Sequence, residues 1–201
     1  MPMLGRRLRH AAAKIRRFLG TDQEVEFTVE RGVLSILQTR RAETSFDRGT
    51  ERFLDPGDPA TRGLGVRGGG FRGLAAFDEA DVAELGAVNL SERDAVDGVL
   101  LVIENPTPDD IPLIISADGL LTTRGGSTSH AAVAINAIEN KKYSGVMRAA
   151  DLRVHPDQHE AVILDSQRRT GCRIRKGDIV SIHGTTGEVY LGSCRPQVVA
   201  E

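Results

Sequence analysis

Leu120 to Ala132 reads LLTTRGGSTSHAA, and the rest of the chain is read outward from this stretch. Two leucines and two threonines close a strand, Gly125 and Gly126 turn the backbone, and three hydroxyl residues lead to His130 and a run of small residues. Glycine lets the backbone turn tightly and approach a ligand with no Cβ in the way. Thr128 or Ser129 then caps a helix through AAVAINAIENK. An imidazole in the first turn of that helix sits among unpaired N–H groups at the positive end of the dipole, a setting that favours a bound anion. Arg124 adds a guanidinium able to grip two phosphate oxygens at once. The pattern predicts a histidine that carries a phosphoryl group. Thr128 is the leading side-chain donor to the phosphate or the ring, and Ser129 is the second.

The flanks predict a small α/β unit. Upstream, AAFDEADVAELGA is an acidic helix with Phe77, Val82 and Leu85 on a rough stripe, and VLLVIEN (Val99 to Asn105) is a continuous apolar run of strand length. In TPDDIP, Asp109 and Asp110 are placed to cap a short helix leading to Ile114 and Ile115. Downstream, YSGVM, EAVILD and a terminal hairpin supply short strands. The region from Arg41 to Gly73 is rich in Gly, Pro, Asp and Arg and reads as a linker. Its glycine-rich part, about residues 55 to 73, is the expected hinge of a moving domain. Arg62, Arg67 and Arg72 are expected on solvated loop there, with phosphate contact the rarer alternative.

At the N-terminus, Leu4, Leu8, Ala12, Ile15 and Leu19 recur at helical steps and Gly20 is placed as a C-terminal cap. Six Arg and Lys residues occupy the other faces of this helix. Three readings stay open: a packed helix with a solvated basic face, a nucleotide or partner contact, and a targeting or membrane-surface segment. EVEFTVERGVLSILQTR (Glu24 to Arg40) alternates apolar and polar residues about Arg31-Gly32, the pattern of a β-hairpin.

Composition narrows the function. A net charge of −2 and 4% aromatic residues argue against a polyanionic partner and against base stacking, so no nucleic acid is expected. No apolar run is long enough to span a bilayer, so no membrane partner is expected. Cys172 and Cys194 lack ligand-like spacing and there is no secretion signal, which predicts reduced thiols in a cytoplasm. His155 and His159 lie four apart beside acids, but Pro156 breaks the helix that would align them. A surface loop is the expectation there. No serine lies in a nucleophile elbow.

LLTTRGGSTSHAAVA resembles the phosphohistidine motif of the enzymes that make or use phosphoenolpyruvate, most closely the pyruvate, phosphate dikinase family. LVIENPTPDDIP (Leu101 to Pro112) and KGDIVSIHGTTGEVYLG (Lys176 to Gly192) resemble the segments before and after it. The resemblance covers about residues 60 to 195, and residues 7 to 40 resemble the end of an ATP-grasp nucleotide domain. It implies an α/β fold: a swivelling β/β/α phosphohistidine domain at 61–195, a linker at 41–60, and a helix-plus-hairpin remnant at 1–40. By the same resemblance His130 is the phosphocarrier, Glu26 corresponds to a Mg²⁺ ligand, and Gln38 and Arg40 correspond to residues near the nucleotide phosphates. Mg²⁺ is then a cofactor of the complete system. Departures exist. Arg67-Gly68 stands where the family has Ser-Pro, Asn136-Ala137 replaces Arg-Gly, and Glu139-Asn140 replaces Gly-Lys.

The implied function is a phosphotransferase component inactive alone, served by an ATP-grasp domain or subunit and by a phosphoenolpyruvate- or pyruvate-type acceptor domain or subunit. Two alternatives remain: a catalytically silent regulatory or interaction domain, and a piece of a larger dikinase.

Overall fold

The computed structural model describes residues 2–20, 23–41, 51–54, 56–87, 96–126, 129–138, 141–165, 167 and 169–198. The chain divides into two compact units, Met1–Phe46 and Asp47–Glu201.

The first unit is a helix and a hairpin. α1 (Pro2–Leu19) ends at Gly20, whose φ of 72° supplies the left-handed turn and whose N–H reaches Arg16 O at 2.9 Å. β1 (Gln23–Glu30) pairs antiparallel with β2 (Val33–Arg41) across Arg31 and Gly32, both at positive φ, the conformation that tight hairpins require. A bulge skips Leu37, so Phe27 faces Ile36 whereas Glu26 faces Gln38. That one extra residue switches the parity of β2. It puts Leu34 and Ile36 on the apolar face with Val25, Phe27 and Val29, and Gln38 on the polar face with Glu26.

The second unit is built on a mixed sheet. In chain order its elements are β3 (Glu51–Phe53), β4 (Thr61–Arg62), β5 (Leu64–Arg67), β6 (Gly70–Ala76), α2 (Glu79–Gly86), β7 (Gly98–Ile103), α3 (Ile111–Ser116), β8 (Gly119–Thr122) and α4 (His130–Asn136). After these come β9 (Ser144–Met147), β10 (Leu152–His155), β11 (Glu160–Leu164), β12 (Thr170–Arg175), β13 (Ile179–His183), β14 (Glu188–Leu191) and β15 (Pro196–Val198). Eight strands run in the order β4-β14-β13-β6-β7-β8-β9-β5, with β6 to β9 parallel. The two outer strands, β4 and β5, are consecutive across Gly63, so the sheet curls into a largely closed barrel with one unsealed seam. β10-β11-β12 form a separate antiparallel sheet, and β3 pairs with β15.

The layers follow from residue parity. On β7, Val99 and Leu101 join Val82, Leu85, Ile114, Ala132 and Ile135 of the helices, while Leu100 and Val102 join Leu152, Ile163 and Ile174 of the small sheet. A strand covered on both faces must be apolar at every position, which is why VLLVI reads as a continuous run. The result is the α/β architecture of a swivelling β/β/α domain.

Two expectations need correction. Residues 61–73 are not a hinge or a solvated loop. They form β4, β5 and most of β6, and their glycines are sites of close approach: a Cβ at Gly63 would lie 2.4 Å from Met147 O, and one at Gly73 would lie 2.5 Å from Leu100 Cβ. The three arginines are likewise engaged. Arg62 pairs with Glu188 at 3.0 Å, Arg67 donates to Ile135 O at the end of α4, and Arg72 grips Asp97 through Nε and Nη2 at 3.0 and 2.8 Å. Glycine clusters read as flexible in sequence because the neighbour that demands a missing Cβ is distant in the chain.

Candidate functional site

The His130 loop leaves the C-terminal end of β8 and is fastened to the end of β7. Thr123 Oγ1 and Arg124 N both donate to Glu104 O, at 3.0 and 2.9 Å, and Thr122 Oγ1 donates to Arg124 O. Gly125 holds φ at 101°, open to glycine and strained for other residues. Ser129 N donates to Gly126 O at 2.9 Å, and Ser129 Oγ accepts from Ala132 N at 3.3 Å as the N-cap of α4. Of the two cap candidates, Ser129 fills the role. Thr128 lies outside the described residues.

α4 is short because Ala137 already caps it, so the helix expected through Lys141 stops at Asn136. Its inner face, Ala131, Ala132 and Ile135, is fully packed, which fixes the helix against the sheet and leaves His130 exposed at its first position. Arg124 also points outward, with Nη2 at 3.4 Å from Glu104 Oε1 and both side chains more than half exposed. The structure therefore gathers His130, Ser129, Gly125, Gly126 and Arg124 on one loop, with the proposed clamp residue tethered to an acid that the sequence reading did not single out.

Glu26, Gln38 and Arg40 fall on the first unit. Glu26 and Gln38 are direct cross-strand partners with exposed side chains, and Arg40 stands in register with Glu24. The bulge at Leu37 is what brings Glu26 and Gln38 opposite each other.

A second cluster was missed by sequence. Asp78, Asp81 and His159 bring three potential ligand atoms within 4.8 Å of one another, a set capable of coordinating a metal ion. Asp81 is fully buried; Lys176 Nζ lies 2.8 Å from its Oδ1, and Phe77 N and His159 Nδ1 donate to its Oδ2 at 3.0 and 2.8 Å. Burial pushes the Asp81 carboxyl up, yet the Lys176, His159 and backbone bonds outweigh it and hold it below the ordinary carboxylate range. The bond to Asp81 raises His159, and the same carboxylate raises Lys176 further. Mg²⁺ prefers a shell of oxygens, and here one of three donors is an imidazole and Lys176 already neutralises the buried acid. The donor set fits Mg²⁺ poorly. His159, at a φ of 47° in the turn between β10 and β11, is thus tied to α2 and is not a free surface loop residue. The spacing of His155 and His159 draws attention to His159 in sequence but not to its true partners, Asp78 and Asp81, of which Asp78 caps α2.

Residues 95–187 match the family model for the PEP-utilising enzyme mobile domain. This part of the chain has the fold of a PEP-utilising enzyme mobile domain. The match takes in β7, the His130 loop, α4 and the strands through β13. The chain is 30% identical to the pyruvate, phosphate dikinase of Rhizobium meliloti over 85% of its own length and 21% of that protein's. It is 29% identical to that of Entamoeba histolytica, over 92% of this chain and 23% of the relative. Against the chloroplastic enzyme of Flaveria trinervia identity rises to 38%, over 55% of this chain and 11% of the relative. The mobile domain is thus related at low identity to pyruvate, phosphate dikinases, and the chain spans about a fifth of the length of the first two relatives. No helix among the described residues is long and apolar enough to cross a membrane.

Proposed function

We propose that the mobile domain is a phosphoryl carrier and that His130 is the residue that carries the group. The observation behind this reading is the placement of His130: exposed, first in α4, directly behind the Gly125–Gly126 loop and held by the Ser129 cap. A neutral ring nitrogen attacks phosphorus in line; the N–P bond forms as the bond to the leaving oxygen breaks, and that oxygen departs with the electron pair. Charge on the three transferring oxygens is met by Arg124, which exchanges its Glu104 contact for the phosphoryl group.

Donor and acceptor lie outside this chain. An ATP-grasp protein supplies the phosphoryl group, and a phosphoenolpyruvate- or pyruvate-type site takes it. The hairpin with Glu26, Gln38 and Arg40 completes the nucleotide site only when that partner provides the facing surface. Mg²⁺, when used, arrives with the nucleotide on that partner. The chain alone does not hydrolyse ATP, because positioning and charge neutralisation supply most of phosphoryl-transfer catalysis.

The test is transfer of labelled phosphate from ATP through a complementary nucleotide-binding subunit. One acid-labile, base-stable group is expected per chain, absent in His130→Ala and kept in His155→Ala and His159→Ala. Label that survives His130→Ala overturns the assignment, and no label on any variant favours a catalytically silent interaction domain.

A further inference from the structure

The carrier reading leaves one arginine at the same rim without a task. β7, β8 and β9 are parallel neighbours, so their C-terminal ends open on one side of the sheet. β7 delivers Glu104, β8 delivers the His130 loop, and β9 delivers Arg148. Residues on either side of Arg148 touch that loop and the end of β8 from which it springs. Met147 is buried, and Ser129 Oγ donates to its sulfur at 3.7 Å; Ala149 N donates to Thr122 O at 2.9 Å. Arg148 and His130 are therefore each one residue removed from the same Met147–Ser129 contact.

Arg148 itself is exposed and holds φ at 60°, the left-handed region that a long side chain adopts only at a cost. Among the described residues it forms no ion pair or hydrogen bond, whereas Arg62, Arg72, Arg124 and Arg173 each face an acid. Arg124 is drawn toward the β7 side by Glu104. The β9 side of the loop is left to Arg148.

We propose that Arg148 is a second phosphate-binding arginine of the His130 site, meeting the transferring oxygens from the β9 side while Arg124 meets them from the β7 side. This rests on the carrier reading above. A trigonal phosphoryl group has three oxygens carrying charge, more than one guanidinium can satisfy, and two arginines converging from neighbouring strands suit it.

The test uses phosphoramidate as a small donor, with the full chain. Its N–P bond breaks as the bond to the His130 ring nitrogen forms; ammonia leaves with the electron pair and the imidazole proton passes to solvent. Uptake is followed by phosphorus NMR and by the mass of the His130 peptide. Arg148→Gly removes the guanidinium and also relieves the backbone, so its melting temperature should hold or rise. Its second-order uptake rate should fall at least about tenfold, the loss typical of one charge-assisted hydrogen bond. Arg148→Lys should keep part of the rate. Uptake at the unaltered rate in Arg148→Gly overturns this inference and leaves the carrier reading standing. A fall matched by a lower melting temperature makes Arg148 structural and overturns it too. An unaltered chain that takes no phosphoryl group on His130 overturns both.

Discussion

A Cβ added at Gly184 would lie 1.6 Å from Arg67 O, and one at Gly65 would lie 2.6 Å from Gly184 O. Among the described residues, one added at Gly125 meets nothing nearer than 3.6 Å, and one at Gly126 meets nothing within 4 Å. Both sets sit in glycine-rich sequence, yet the first is required where two backbones touch, whereas Gly125 is required by its φ of 101° and not by a neighbour. Open space at Gly126 among the described residues suits the loop to the proposed phosphoryl group. Contact at Gly184 is what brings β5 against the β13–β14 turn and draws the sheet toward closure.

The sharpest way to break that comparison is a pair of alanines. Gly184→Ala forces a methyl into backbone that has no side chain to swing aside, and should destabilise the chain by more than about 3 kcal/mol. Gly126→Ala should change stability by no more than about 0.5 kcal/mol, as at other open surface positions. Urea titration of both variants checks this. Equal losses would show that packing does not separate the two glycine sets.

Arg124→Gln carries the comparison from packing to chemistry. Its ion pair with Glu104 is largely exposed, so stability should barely move. Phosphoryl transfer to His130 should fall about a hundredfold, the usual effect of losing one donor aimed at transition-state charge, about 3 kcal/mol. Single-turnover labelling measures it. A rate within a factor of two of the unaltered chain would remove Arg124 from the site.

How much of this was written in the sequence depended on how local the cause was. VLLVI, the Arg31-Gly32 turn and the SHAA helix start are each decided within a few residues, and each was read in the element where it lies. Leu34, Ile36 and Gln38 share sequence parity, so only the bulge at Leu37 sorts them onto two faces. The β4–β6 glycines read as a hinge in sequence because their partners, such as Met147 and Gly184, lie far along the chain. The Asp81–His159 bond joins residues 78 apart, and no spacing rule reaches that far. For the same reason Arg148 was invisible: its left-handed backbone and its place beside β8 exist only in the folded sheet.

Ser129→Ala tests the join between the open loop and the packed helix. Losing the cap bond to Ala132 N should cost about 1 kcal/mol. Amide exchange should quicken in α4 first, leaving β6 to β8 protected. Uniform acceleration across the sheet would mean that the cap supports the whole fold rather than the placement of His130.

The smallest expected effect is a pH dependence at the second cluster, where α2 meets the turns that flank β11 and β12. His159 is raised above the ordinary histidine value mainly by its bond to Asp81, so it binds a proton more tightly folded than unfolded. The stability this supplies is complete below the unfolded-state value and disappears as pH rises through the folded one. Asp81 runs the other way: held low, it contributes above the ordinary carboxylate value and loses that contribution as pH falls through its depressed folded value. The tie is therefore strongest in mildly acidic buffer, where His159 is charged and Asp81 is still ionised. His159→Gln should lose most stability there and approach the unaltered chain in alkaline buffer, with Lys176 still neutralising Asp81. Denaturant midpoints for both proteins across that range give the answer, and a gap that widens toward alkaline pH would mean that His159 acts through packing and not through charge.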